Sequence, residues 1–396
     1  MGGALWGRAL GGTARPAVTG GPAPRGPGPT APDPIRSVAL EAGCAIMRVV
    51  WQVGRERLEL REAPTPEPGP GEVLVRIAAS ALCGSELGAY RQEREARNGG
   101  HEAAGVVVAL GAGCTALRRG DRVGICAVQG CGTCAPCRQG RYTYCERRVG
   151  LSGLHAEYAV SRELGCQPLP ADVPWDVGVL LSGDGLGVPH HVSLRLGHRS
   201  LSGALVAVFG VGPVGLGNVL LQSRLGAEVV AVDVSAYRLD LARRLGAGTL
   251  VRAPTGPAAP EDLAAQVRQA CGRAPDICLE CTGRQPALLA ALEAVGTAGT
   301  VVCIGEQGPA PISPSEHLIR RDITLMGSWF YHFSEYAQML DLYRAGCPVG
   351  DLITHTYPLS DVQEAFAQFA AARTGKVILH PWPEEAASTI GAAGRP

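Results

Sequence analysis

Four cysteines in one short loop are the residues whose spacing alone best points to chemistry. Cys131, Cys134, Cys137 and Cys145 form C-x2-C-x2-C-x7-C within CGTCAPCRQGRYTYC. Four thiolates so placed can close a tetrahedral shell around Zn2+, with no position left for a substrate. A closed shell polarises nothing, so a structural zinc is expected; two disulfides or four unrelated cysteines are the competing reading. A second set of metal-binding residue types is scattered over three segments. Cys83 lies in ALCGSELGAY, His101 and Glu102 in GGHEAAGVV, and Asp184 in LLSGDGLGVPHH. A thiolate, an imidazole and a carboxylate supply three zinc ligands and leave a fourth position for water or substrate. Spacing does not unite these segments, because an isolated Cys in an apolar run is ordinarily packing.

A third constellation has the make-up of a nucleotide site. Gly210-Val211-Gly212-Pro213-Val214-Gly215 follows the apolar run LVAVF and opens the amphipathic run VGLGNVLLQSRLGA. The glycines permit a tight turn and close backbone approach to a pyrophosphate, whose charge the helix N-terminus stabilises. Asp233 ends EVVAVD, 18 residues past Gly215. A carboxylate there would accept hydrogen bonds from a ribose and repel a 2′-phosphate, which reads as NAD rather than NADP. Arg238 is the counter-argument, since an arginine nearby can accommodate the extra phosphate.

The elements that must position these residues follow two rhythms. Residues 47–62, VLVRIAAS, AAGVVVAL and DRVGI read as short strands separated by Gly-rich turns, which suits a small β-barrel-like domain. After about Pro189, continuous apolar runs alternate with helix-length amphipathic segments: ALVAVFG, EVVAVD, GTLV, PDICLEC, TVVCIG and TLMGS. That alternation predicts a parallel, doubly wound sheet. At 396 residues the chain suits two domains rather than one.

Composition narrows the function classes. The 36 basic and 36 acidic residues cancel, so no electrostatic footprint for nucleic acid or an anionic membrane is present. No apolar run reaches the roughly 18 to 20 residues that cross a bilayer. Cys278, Cys281 and Cys303 sit in apolar runs, where a reduced cysteine behaves as a small hydrophobe, so the 14 cysteines read as those of a reducing compartment, the cytoplasm. Residues 1–46 are rich in Gly and Pro, with four arginines and two acids, Asp33 and Glu41. Such a segment reads as a disordered extension; its arginines suit an organellar signal, but its prolines oppose the helix that a signal needs. That leader and the tail 385–396 lie outside the fold expectations.

From Met47 to about Pro383 the chain resembles the zinc-containing medium-chain dehydrogenase/reductase superfamily, with its alcohol, polyol and threonine dehydrogenases. The resemblance rests on Cys83-Gly84-Ser85, Gly100-His101-Glu102, the four-cysteine lobe, the Asp184 segment, GVGPVG, Asp233 and a terminal GKVIL, in that order. It implies an α/β fold in which a Rossmann doubly wound parallel sheet is inserted in a GroES-like β-barrel-type catalytic domain. The boundaries expected are 47–188 for the GroES-like part with its zinc lobe at 126–148, 189–345 for the NAD-binding domain, and 346–384 for the return. Two zinc ions per chain and NAD are the implied cofactors.

Residue by residue, the resemblance makes Cys83 and His101 catalytic zinc ligands, with Asp184 and Glu102 competing for the third position. Ser85 matches the hydroxyl that takes the substrate's proton. Glu86 is a partner fixing His101, and Lys376 either approaches the cofactor pyrophosphate or is a solvated lysine. Gly210, Gly212, Pro213, Val214, Gly215, Asp233 and Arg238 fall at the cofactor. The family often has a His five residues after the first Cys, where this chain has Gly88; His190 or His191 is the substitute relay, or else a helix-entry residue. The implied activity is NAD-dependent oxidation of a secondary alcohol or polyol to a ketone, by a homodimer or homotetramer. The alternatives are a threonine 3-dehydrogenase-like or primary alcohol dehydrogenase, or a zinc- and nucleotide-binding protein without catalysis.

Overall fold

The run EVLVRIAASA forms a ten-residue strand, Glu72–Ala81, buried from Val73 to its end. It is buried because it is paired on both sides: with Glu102–Leu110 and Tyr158–Arg162, and at its end with Lys376–His380, all antiparallel. The resulting seven-stranded sheet also takes in Arg122–Ile125, Cys166–Pro168 and Ile353–Pro358. Its inward residues, among them Val73, Val75, Ile77, Val107, Val123 and Ile125, make one apolar core. The hairpin Ile46–Gly54 and Arg57–Pro64 packs beside it as a separate small sheet. This computed structural model describes residues 46–93, 95–97, 99–197, 201–256 and 259–382. The readings of 1–46 as a leader and of 385–396 as a tail fall outside the described residues, except that Ile46 opens the first strand.

The continuous apolar runs form the second sheet, six parallel strands in the order Ala247–Arg252, Glu228–Asp233, Leu205–Phe209, Ile277–Glu280, Thr300–Cys303 and Thr324–Gly327. Leu205–Phe209 is buried at every position, as expected of a strand covered by helices on both faces. From it the chain builds outward first to one side and then to the other. The direction of winding therefore switches between Leu205–Phe209 and Ile277–Glu280, which is where doubly wound sheets bind ligands. Cys278 is fully buried in this core, and the thirteen described cysteines are all free thiols. Among the described residues no helix is long and apolar enough to cross a membrane.

The late strand Lys376–His380 lies in the first sheet, and one ion pair fixes it there. Lys376 Nζ contacts Glu102 Oε1, and the two residues are 1% and 0% exposed. Burial, the largest single influence, works against a charged lysine, but the charges of Glu102, Cys83 and Asp184 and the bond to Glu102 together outweigh it and hold the ammonium above its usual pKa. Removing one partner of such a pair leaves an uncompensated buried charge, which costs about 3–5 kcal/mol. Lys376→Met is therefore expected to lose about that much in chemical unfolding, and Lys376→Met/Glu102→Gln to recover most of it. Equal losses in the single and double variants would show that the pair is not what fixes the strand.

Candidate active site

Sheet register is what brings the scattered ligand types together. Ala81 stands opposite Glu102, so Cys83, two residues past one strand end, meets His101, at the entry to its neighbour. Asp184 opens the helix Asp184–Arg195, and its backbone N–H donates to Glu102 Oε2 at 3.0 Å. Cys83, His101, Glu102 and Asp184 thus converge, each offering a donor atom within 4.8 Å of the others. Asp184 Oδ2 is 3.3 Å from Cys83 Sγ and 3.1 Å from His101 Nε2. Asp184 Oδ1 is buried without a hydrogen-bond partner. The two oxygens of Glu102 are already committed, one to Lys376 and one to the Asp184 N–H.

The electrostatics are those of a metal site. Burial, followed by the Asp184 charge, pushes the Cys83 thiol up. Burial opposes a charged His101, but its bonds to Asp184, Cys83 and Glu86 hold its pKa well above the usual value. A thiol, an imidazole and a carboxylate that compete for protons in a dry pocket are relieved together by a divalent cation. The donor set S, N and O, with an orphaned carboxylate oxygen among them, fits zinc.

Around this group lies a chain of polar contacts that links side chains far apart in sequence. Glu86 is buried, with Oε1 3.3 Å from His101 Nδ1 and Oε2 3.0 Å from His155 Nε2. His155 Nδ1 is in turn 2.9 Å from Ser80 Oγ. The two imidazoles, once burial is overcome, hold the Glu86 carboxyl down at about 2. His155 carries no motif; its trace in the sequence is Gly100, where an added Cβ would meet the imidazole at 2.6 Å. Ser85 is exposed and its side chain does not cap the short helix Glu86–Tyr90. Lys376 is neither solvated nor at a pyrophosphate, because Glu102 holds it inside the sheet. His190 and His191 lie in mid-helix rather than at a helix entry, buried and facing Glu335.

The four-cysteine loop converges as tightly. Its sulfurs lie within 4.8 Å of one another, with 3.3 Å between Cys134 and Cys137 and 3.9 Å between Cys131 and Cys137. Sulfurs on 2.3 Å bonds to a tetrahedral zinc stand about 3.8 Å apart. The Thr133 hydroxyl, the largest influence, lowers Cys131 to about 5, and burial raises Cys137 to about 12.

The glycine loop has the shape its spacing implies. Gly210 has φ +84°, and a Cβ at Gly215 would stand 1.9 Å from the Gly210 carbonyl oxygen. Gly212 faces open space except for the Arg238 guanidinium at 3.6 Å. Pro213 takes the first turn of the helix Pro213–Arg224, where its missing N–H is not needed, and Val214 follows it half-buried. Asp233 accepts the Val211 N–H and the Ser235 N–H, each at 2.8 Å. Arg238 is held by the carbonyls of Thr374 and Phe369. A loop whose second glycine borders unfilled space fits a dinucleotide pyrophosphate.

Comparison with known proteins agrees with this geometry. Residues 69–171 match the model of the alcohol dehydrogenase GroES-like domain, and residues 213–345 that of the zinc-binding dehydrogenases. Sorbitol dehydrogenase of Gallus gallus is 33% identical over 346 residues, covering 84% of this chain and 95% of that protein. An L-threonine 3-dehydrogenase of Coxiella burnetii is 31% identical over 339 residues, covering 82% and 96%. The solved alcohol dehydrogenase of Thermus sp. ATN1 is 27% identical with a TM-score of 0.73, covering 84% and 99%. The chain belongs to the zinc-type, medium-chain alcohol dehydrogenase family. It is an oxidoreductase of that family.

The lobe is held by its own sulfurs and by the apolar contacts of Tyr142, Leu164 and Phe333. Cys134→Ser should lose one zinc per chain and lower the melting temperature, with any loss of activity following loss of fold. Unchanged melting with one zinc fewer would separate the lobe from stability.

Proposed function

We propose that this chain is a zinc-dependent dehydrogenase that passes a hydride between a secondary alcohol or polyol and NAD, giving a ketone. The observation that carries the reading is the meeting of Cys83, His101 and Asp184, three ligand types with Asp184 Oδ1 left without a partner. Zinc bound there supplies a Lewis acid for the carbinol oxygen, and NAD supplies the hydride acceptor. Cys83, His101 and Asp184 hold the ion. Glu86 takes the Nδ1 side of His101 and so leaves Nε2 for the metal. Glu102 positions Asp184 through its backbone N–H, and Lys376 balances the charge of Glu102.

Ser85 receives the substrate proton at its hydroxyl. It is exposed, as is Gly88, so the proton leaves to water from Ser85 without an imidazole at the Gly88 position. His190 and His191 stand off this route, because Glu335 engages them. Val211, Gly212 and Asp233 form the NAD cradle, with the Asp233 carboxylate at the strand end disfavouring a 2′-phosphate. Sorbitol and threonine, the substrates named for two relatives, both carry a secondary carbinol. A homodimer or homotetramer belongs to the same reading.

The test is zinc content together with NADH formation over a panel of polyols, secondary alcohols, primary alcohols and threonine. Cys83→Ser should lose one zinc and at least about a thousandfold in turnover, as removal of several kcal/mol of charge stabilisation implies. NADH binding should stay within about twofold; parallel loss of NADH affinity would contradict the role of Cys83. Asp184→Ala should lose the same zinc, whereas Glu102→Gln should keep it. The reverse pattern would make Glu102 the third ligand.

A further inference from the structure

A third group of ligand types lies outside both cysteine-containing sites. His191, His332 and Glu335 each offer a donor atom, and these atoms lie within 4.8 Å of one another. The three residues are 5%, 7% and 5% exposed. His191 comes from the helix Asp184–Arg195; His332 and Glu335 come from the segment after the strand Thr324–Gly327. Asp184 and His191 are seven residues apart on one helix, so they share a face and stand about 10 Å apart along the axis. That separation makes this a site of its own rather than an extension of the Cys83 site.

We propose that His191, His332 and Glu335 bind a third divalent transition-metal ion, of the class that imidazole and carboxylate ligands take together. Four features carry the assignment. His191 Nδ1 is 2.8 Å from Glu335 Oε1, and donors on bonds of 2.0 to 2.1 Å to a tetrahedral ion stand about 3.3 Å apart. The span of the group therefore brackets the size of one ion, as does that of the Cys83 group. Glu335 Oε2 is buried with no hydrogen-bond partner, and His190 Nδ1 stands 3.8 Å from it. A buried carboxylate oxygen left in that position without a partner is otherwise destabilising.

The other two features concern ligand orientation and access. Thr143 Oγ1 is 2.8 Å from His332 Nδ1. A hydroxyl on one ring nitrogen orients the imidazole and leaves its other nitrogen for a further partner, as outer partners of metal-bound histidines do. A cavity of about 390 Å³, whose walls include Thr143, Tyr144, Arg195 and Ser328, reaches the His191 member of the group. That is ample for the entry of a hydrated ion and for a water ligand in the fourth position. With two nitrogens and one oxygen, the site suits Zn2+, Co2+ or Ni2+ rather than Ca2+ or Mg2+.

Such an ion would join the helix Asp184–Arg195 to the segment that docks on the cysteine lobe. It is distinguishable from the Cys83 zinc and does not depend on the proposed dehydrogenase activity. The test uses the full chain, equilibrated with excess Zn2+, freed of loose metal by gel filtration, and analysed for zinc. The wild type should hold three ions per chain, Glu335→Gln and His332→Ala two each, and Cys83→Ser/Glu335→Gln one. Co2+ loading separates the ligand sets: the ion lost from Glu335→Gln should take d–d absorption with it and leave the thiolate charge-transfer bands unchanged. An equal zinc count in the wild type and in Glu335→Gln, whatever the total, would overturn the assignment. So would a loss in Glu335→Gln that weakens the thiolate bands, since the missing ion would then be one of the cysteine-bound pair.

Discussion

The buried pair between Glu102 and Lys376 is the constraint on which the active-site geometry depends. Two opposite charges out of water attract strongly, but each has lost its hydration, so the arrangement persists only if further polar groups are satisfied. The second oxygen of Glu102 supplies that by accepting the Asp184 N–H. One carboxylate therefore joins the entry of the strand Glu102–Leu110, the start of the helix Asp184–Arg195 and the returning strand Lys376–His380. Those segments are 82 and 274 residues apart from it in sequence. With both oxygens engaged, Glu102 holds the Asp184 backbone and keeps Lys376 paired inside the sheet.

Outward from that pair, each layer fixes the next. Antiparallel register sets Cys83 beside His101; Glu86 holds the His101 ring; His155 holds Glu86; and Ser80 holds His155. The cysteine lobe plays a comparable part on the far side of the helix. Tyr142 stacks on Phe333 at 4.8 Å, the Ser334 N–H donates to the Gly140 carbonyl, and Thr143 meets His332. The lobe thus braces the segment that leaves the parallel sheet, so its zinc can be structural for the lobe and still matter to what surrounds Asp184.

What could be read from the sequence was local chemistry, and what could not was partnership across the fold. GVGPVG and Asp233 were legible because strand, turn and helix are consecutive and Gly215 closes on the Gly210 carbonyl within the loop. The four cysteines were legible for the same reason. Cys83, His101 and Asp184 needed a sheet register to meet, and only a family resemblance supplied it beforehand. Lys376 was misread because nothing in GKVIL distinguishes a lysine that finds Glu102 from one that finds water. His332 and Glu335 passed unnoticed, and His191 was placed at a helix entry, since a histidine seven residues beyond Asp184 gains meaning only from the segment opposite.

The helix Asp184–Arg195 explains why this chain accepts glycine where helices ordinarily avoid it. Each glycine in a helix interior costs about 1 kcal/mol relative to alanine, yet Gly185 and Gly187 both lie in it. A Cβ at Gly187 would stand 2.3 Å from the Tyr331 ring, and a Cβ at Gly185 would stand 2.7 Å from the Leu180 side chain. Its neighbour, the helix Pro213–Arg224, shows the same economy: a Cβ at Gly217 would meet the Gly185 carbonyl at 2.4 Å. These glycines let the cofactor-loop helix and the segment of Tyr331 close directly on the backbone that carries Asp184. The propensity lost is repaid in position, because a ligand on a helix is only as well placed as the helix itself. A helix gripped on its backbone cannot shift without moving the glycine loop, Tyr331 and Asp184 together.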